Sequence, residues 1–141
     1  MSGEVITLAH GNGGRHMREL IEGVSADALE HPTLDIQADA ATVEFDSTEL
    51  VITTDGFTVQ PLEFPGGSIG TLAVHGTVND LAVGAAMPLY LSLNVIVEEG
   101  FAFDVFQRLM KDVGQSAQAA GVTIVTGDTK VVPRGQAGGL Y

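Results

Sequence analysis

A strand, a long helix and a second strand follow one another between residues 89 and 125, and this succession constrains the fold more than any other stretch. Residues 89–97 (LYLSLNVIV) form a long alternating run, the period of a strand, and Glu98-Glu99-Gly100 ends it. Residues 103–120 then repeat apolar side chains at Val105, Phe106, Leu109, Met110, Val113, Ala117 and Ala120, the spacing of an amphipathic helix, with Gly121 as its stop. Residues 122–125 predict the next buried strand, and Val131 and Val132 extend it past a turn at Gly127-Asp128.

The elements upstream are shorter. Residues 15–22 (RHMRELIE) put Met17, Leu20 and Ile21 on one face of a short helix, with Asn12 placed to cap its start. Residues 25–40 contain a proline, several aspartates and no clear period, which predicts loop. Residues 41–54 are rich in β-branched side chains on either side of Asp46-Ser47-Thr48, which predicts a strand hairpin. Residues 60–67 (QPLEFPGG) hold two prolines and two glycines and read as a structured loop. A helix starts after Ser68, with Ile69, Leu72, Ala73, Gly76, Asn79, Asp80 and Val83 on its expected buried side. The order β-β-α-β-α-β predicts an α/β (α+β) fold, a mixed β-sheet with helices on one face.

Composition narrows the function classes. A chain of 141 residues fits one domain with one core. Its 18 acidic residues against 6 Lys plus Arg give a net charge of −12, so binding to nucleic acid or an anionic membrane surface would work against long-range repulsion, and neither is expected as a partner. No apolar run approaches the ~20 residues that cross a bilayer, and the start carries no basic-then-apolar leader, which predicts a cytoplasmic protein. There is no cysteine, hence no disulfide, no thiolate metal site and no nucleophilic thiol in these residues.

Three segments carry carboxylates at the edges of apolar elements: Asp55 in Thr53-Thr54-Asp55-Gly56, Asp80 in Gly76-Thr77-Val78-Asn79-Asp80, and Asp128 in Thr126-Gly127-Asp128-Thr129-Lys130. Asp-Gly is a common turn dipeptide, so any one of them alone is more often structural. Together they suit Mg²⁺, which takes oxygen ligands from one or two carboxylates and completes its shell with phosphate and water. Lys130 would meet a phosphate as a point charge. The glycine segment His10-Gly11-Asn12-Gly13-Gly14 offers backbone N–H groups to an anion, or serves only as a flexible helix entry. It lacks the Lys-Ser/Thr of the P-loop and the third glycine of the dinucleotide fingerprint, His16 standing there instead. His10 is a candidate acid or base with a structural role as the commoner alternative. His16, His31 and His75 have no partners at metal-ligand spacing.

Five segments in one order, Leu8-Ala9-His10-Gly11-Asn12-Gly13-Gly14, Thr53-Thr54-Asp55-Gly56, Phe64-Pro65-Gly66-Gly67-Ser68-Ile69-Gly70, Gly76-Thr77-Val78-Asn79-Asp80-Leu81-Ala82 and Thr126-Gly127-Asp128-Thr129-Lys130-Val131-Val132, closely resemble the amino-terminal ATP-binding domain of the HypE family of hydrogenase maturation proteins. That family lies in the PurM-like superfamily of aminoimidazole ribonucleotide synthetase, selenophosphate synthetase and thiamine-monophosphate kinase. The resemblance implies a homodimer whose sheets pair into a barrel, with ATP near the junction. It implies Asp55, Asp80 and Asp128 as Mg²⁺ ligands and catalytic groups together with Lys130. Nucleotide contacts would come from His10, Gly11, Asn12, Gly13, Gly14, Thr54, Asn79, Thr126 and Gly127.

The implied activity is ATP-dependent dehydration of an S-carbamoyl cysteine to a thiocyanate for the cyanide ligands of [NiFe]-hydrogenase. The implied partners of the full-length protein are the carbamoyl transferase and the iron-cyanide scaffold. Residues 1–141 then form one amino-terminal domain, and the family's second domain and terminal cysteine tail are not among them, so turnover by this chain alone should fail. Gly138-Gly139 also stands where the family more often has an acidic residue before Leu140. The alternatives are another synthetase or small-molecule kinase of the superfamily and a non-catalytic dimerisation module.

Overall fold

The computed structural model describes residues 5–29, 46 and 50–141. A 3-10 helix (Leu8–Gly11) leads into α1 (Arg15–Leu20), which continues as a π-helical stretch (Ile21–Ala26). A miniature antiparallel hairpin of β1 (Glu63–Phe64) and β2 (Gly67–Ser68) precedes α2 (Ile69–Val83). The chain ends in β3 (Tyr90–Glu98), α3 (Phe103–Ala120) and β4 (Thr123–Val132).

β3 and β4 pair in parallel, with Tyr90 opposite Thr123 and Glu98 opposite Val132, and one register shift between Leu91 and Ser92. Along β3, Val95 and Val97 are buried while Ser92 and Asn94 are exposed, so one face of the sheet meets the helices. That face belongs to a single core with Phe106, Leu109, Met110 and Val113 of α3 and Ile69 and Val74 of α2. Phe106 and Leu109 are wholly buried, and burying a side chain of that size contributes roughly 1.5–3 kcal/mol. Gly121 closes α3 with φ +69, the left-handed stop that the sequence predicts. Gly70 lets α2 lie against α3, because a Cβ there would come within 2.6 Å of the Leu109 carbonyl oxygen.

Several expectations are corrected. The residues 25–28 expected as loop are helical, continuing from α1. Asn12 follows the 3-10 helix, and Gly14 occupies the N-cap of α1, so Asn12 does not cap it. Ser68 does cap α2, its Oγ accepting from Thr71 N–H at 3.4 Å and donating to Asp112 Oδ2 at 2.6 Å. The buried face of α2 is Ile69, Gly70, Val74 and Leu81, whereas Val83 is 87% exposed. Apolar residues surround this helix, so periodicity selects no face, and the close approach at Gly70 does. β4 runs straight through Gly127 and Asp128 without a turn. The loop at 60–67 contains the β1–β2 hairpin, turned at Gly66 with φ +92. Of the predicted hairpin at 41–54, the arm at 41–45 lies outside the described residues, and 50–54 is in no strand. Among the described residues no helix is long and apolar enough to cross a membrane.

Candidate functional site

Two neighbouring clefts sit on the β3–α3–β4 unit. The larger, about 570 Å³, has Gly11 and Gly13 on one rim and residues 126–130 on the other, over a floor that includes Met17, Ile21, Leu93 and Val95. An apolar floor under a polar, glycine-bearing rim is the usual form of a small-molecule site. Ile21, Ser25 and Ala26 reach it from the π-helical stretch, a distortion that often accompanies functional sites.

Glycine is required on both rims. A Cβ on Gly11 would lie 2.7 Å from the Val131 Cβ, so only glycine lets the 3-10 helix approach β4 this closely. A Cβ on Gly127 would collide with the Leu93 carbonyl. Gly13 adopts φ +69, a conformation glycine takes without the cost a Cβ brings. His10 is engaged below this turn: its Nδ1 accepts the Thr7 backbone N–H at 3.1 Å and lies 3.0 Å from Thr7 Oγ1. Its ring is 5.6 Å from that of His16. The structural role weighed for His10 in the sequence is therefore filled.

Asp128 and Lys130 form an ion pair, Nζ to Oδ2 at 2.9 Å, with both side chains more than half exposed. Asp128 Oδ1 also accepts the Thr129 N–H at 2.9 Å. The Lys130 ammonium, with a smaller contribution from that N–H, holds the Asp128 carboxyl below its ordinary range. It is ionised at neutral pH.

The smaller cleft, about 250 Å³, is bordered by Thr54, Asp55, Thr77, Asn94 and Tyr141. Asp55 is exposed, and its Oδ1 accepts the Gly56 N–H at 2.7 Å. Asn94 links the two regions. It lines the cleft of Asp55 and stands in register opposite Asp128, and paired positions on adjacent strands share a face. Sequence reasoning missed Asn94. The available signal was an amide in the middle of an apolar strand, where asparagine is unfavourable without a task.

The structure thus gathers Gly11, Gly13, Thr126, Gly127, Asp128 and Lys130 around one cleft, and Thr54 with Asp55 around the other. Asn79 and Asp80 are exposed on α2 and border neither cleft, and His10, Asn12 and Gly14 border neither cleft either. Among the described residues no three acidic or histidine side chains are close enough together to hold a metal ion.

Residues 37–141 match the profile of the AIR synthase related protein, N-terminal domain. The chain belongs to this family. Within it, the chain is 49% identical over 136 residues to the carbamoyl dehydratase HypE of Rhizobium leguminosarum bv. viciae, covering 96% of the chain and 39% of that protein. It is 43% identical over 141 residues to that of Escherichia coli K12, covering 96% of the chain and 42% of that protein. A crystal structure of the hydrogenase maturation protein HypE in complex with ATP matches with a TM-score of 0.92 and 46% identity, over 95% of this chain and 40% of that one. A HypE–HypF complex matches with a TM-score of 0.62 and 44% identity, over 86% of this chain and 39% of that one. The chain therefore spans about two fifths of the length of these AIR synthase related relatives, and it has the N-terminal fold of that family.

Proposed function

We propose that this chain is the ATP-binding amino-terminal domain of a cytoplasmic carbamoyl dehydratase that serves hydrogenase maturation. The observation that carries the reading is the larger cleft, where a glycine turn faces residues 126–130 across an apolar floor. The floor suits a nucleobase. The backbone N–H groups of the turn and the Lys130 ammonium suit phosphate oxygens. Relatives named carbamoyl dehydratase HypE, and a HypE solved with ATP, support the same reading.

The oxygen donors of Asp55, Asp80 and Asp128 fit Mg²⁺ by type, though they are not gathered within the chain. When bound, the metal neutralises charge between phosphate oxygens. Asp128 would offer an oxygen donor to the metal, and Lys130, paired with it in this structure, would meet a phosphate as a point charge. Asn94, facing both carboxylate regions, donates a hydrogen bond to the same phosphates. In the reaction, the γ-phosphoryl group passes to the oxygen of an S-carbamoyl group, phosphate leaves and a thiocyanate remains. This chain contains no cysteine, so the thiol that carries the carbamoyl group is supplied from outside these 141 residues.

The reading includes a homodimer. Leu50, Val51 and Ile52 are 58%, 53% and 79% exposed in a segment of β-strand composition that belongs to no strand among the described residues, which suits pairing with a second copy. In a full-length enzyme bearing this domain, Asp55→Asn and Asp128→Asn should each lower ATP turnover roughly 10²–10³-fold. Retained turnover in both variants would sink the metal assignment.

A further inference from the structure

Glu98 ends β3 and turns its carboxylate onto the segment that follows β4. Oε1 accepts the Gly135 N–H at 2.5 Å, and Oε2 accepts the N–H groups of Ala137 at 3.1 Å and Gly139 at 3.3 Å. Three backbone donors on one carboxylate form a nest, the arrangement by which a loop binds an anion, here supplied by the chain itself. The same donors, Gly135 first, hold the Glu98 carboxyl below its ordinary value.

The turn is built around this carboxylate. Gly135, Gly138 and Gly139 have φ of +85, +57 and +118, values that residues with a Cβ rarely adopt. A side chain at 138 or 139 therefore strains the turn. What the turn delivers is a third strand edge. Gly139 O accepts the Glu98 N–H at 2.8 Å, and Tyr141 and Ile96 exchange backbone hydrogen bonds at 2.9 and 3.0 Å. Leu140 bridges to Val97 and is 4% exposed, while Ala137 is 2% exposed. Residues 139–141 therefore lie antiparallel along the edge of β3 away from β4, where Leu140 and Tyr141 border the smaller cleft beside Asp55.

We propose that Glu98 is a positioning residue whose carboxylate folds the turn at 133–139 and thereby holds Tyr141 as a wall of the Asp55 cleft. Glycines alone leave such a turn with many conformations, because they raise the entropy of the open state. A carboxylate with acceptors for all three N–H groups selects one of them. Glu98→Gln preserves the shape of the side chain but puts an NH₂ donor against a nest of donors. It separates the role of the charge from that of the packing.

Backbone amide exchange, read residue by residue in this chain, tests the proposal without any ligand. In Glu98→Gln the amides of Gly135, Ala137, Gly139 and Tyr141 should exchange at least about tenfold faster, with those inside α3 unchanged. The Tyr141 ring resonances should move toward those of a free tyrosine. Gly139→Ala, which keeps the carboxylate but opposes φ +118, should reproduce the pattern if the first variant is too unstable to study. Unchanged exchange at the four amides, or equal acceleration throughout α3, would overturn the proposal. The last step rests on the nucleotide reading: Mg²⁺-ATP should bind at least about threefold more weakly to Glu98→Gln. Equal affinity would remove Tyr141 from the site. If the unaltered chain binds no nucleotide, that reading fails while the exchange result still decides the clamp.

Discussion

The β3–α3–β4 unit and the segments laid over it obey different rules. In the first, each element is held by its own hydrogen-bond ladder and by a shared core of Val95, Val97, Phe106, Leu109 and Val113. In the second, the glycine turn at 11–14 and the run at 50–57 have little regular structure of their own. Their positions depend on close contacts, as Gly11 on Val131 and Phe57 on Gly76. The candidate ligands divide accordingly: Asp128, Lys130 and Asn94 stand on the β3–α3–β4 unit, while Asp55 and the glycines are carried by the overlay. The candidate site thus combines residues of a well-packed sheet-and-helix unit with residues of segments that lack regular structure, the usual division between scaffold and loop in a binding site.

The largest expected effect tests the two ends of this contrast. Phe106→Ala should lose about 3–5 kcal/mol of stability, because it empties a wholly buried position between helix and sheet. Ile52→Ala, 79% exposed, should lose less than about 0.5 kcal/mol in the isolated monomer. Urea unfolding of both variants measures the ratio. Comparable losses would mean that the overlay is as much core as the β3–α3–β4 unit.

Gly127→Ala sharpens the contrast at the seam. Its Cβ collides with the Leu93 carbonyl, so β4 must part from β3 beside Asp128, at a cost of about 1–3 kcal/mol. Denaturant unfolding reads this cost. Stability equal to the parent would show that the strands part there freely.

The smallest effect concerns the strap between the β1–β2 hairpin and α3. Arg108 bonds both oxygens of Glu63, at 2.8 and 3.0 Å, and Asp104 at 3.0 Å. The Arg108 hydrogen bond lowers the Glu63 pKa from its ordinary 4.5. A depressed folded-state value means that the contribution is complete above about pH 4.5 and fades as pH falls through the lower, folded value. Both side chains are nearly half exposed, so water screens most of it. Glu63→Gln should lower the neutral plateau of the thermal-midpoint curve slightly and converge with the parent at low pH, so that its acid limb is slightly flatter. An acid limb identical to the parent's would remove the strap from the stability account.

The same contrast explains what was legible in the sequence. α3 is read to the residue because one apolar stripe and one glycine stop specify it, and β3 and β4 follow from alternation and β-branched runs. The face of α2 is not legible, since its apolar residues surround the helix and packing at Gly70 decides. Residues 50–54, expected as one arm of a hairpin, are in no strand among the described residues, and the arm expected to pair with them, at 41–45, lies outside those residues. For the site, the meeting of Gly11 with residues 126–130 follows motif order, while Asn94 becomes visible only through register with Asp128. Asp80 remains apart from both clefts, as the sequence could not have told.

The most direct test of the nucleotide reading is a titration of the isotopically labelled chain with Mg²⁺-ATP, following each backbone amide by NMR. Amide shifts concentrated on Gly11, Gly13 and residues 126–130, with a weaker response at Asn94 and Asp55, are the predicted result. No shift at millimolar nucleotide, or shifts confined to the exposed surfaces of α2 and α3, would contradict it.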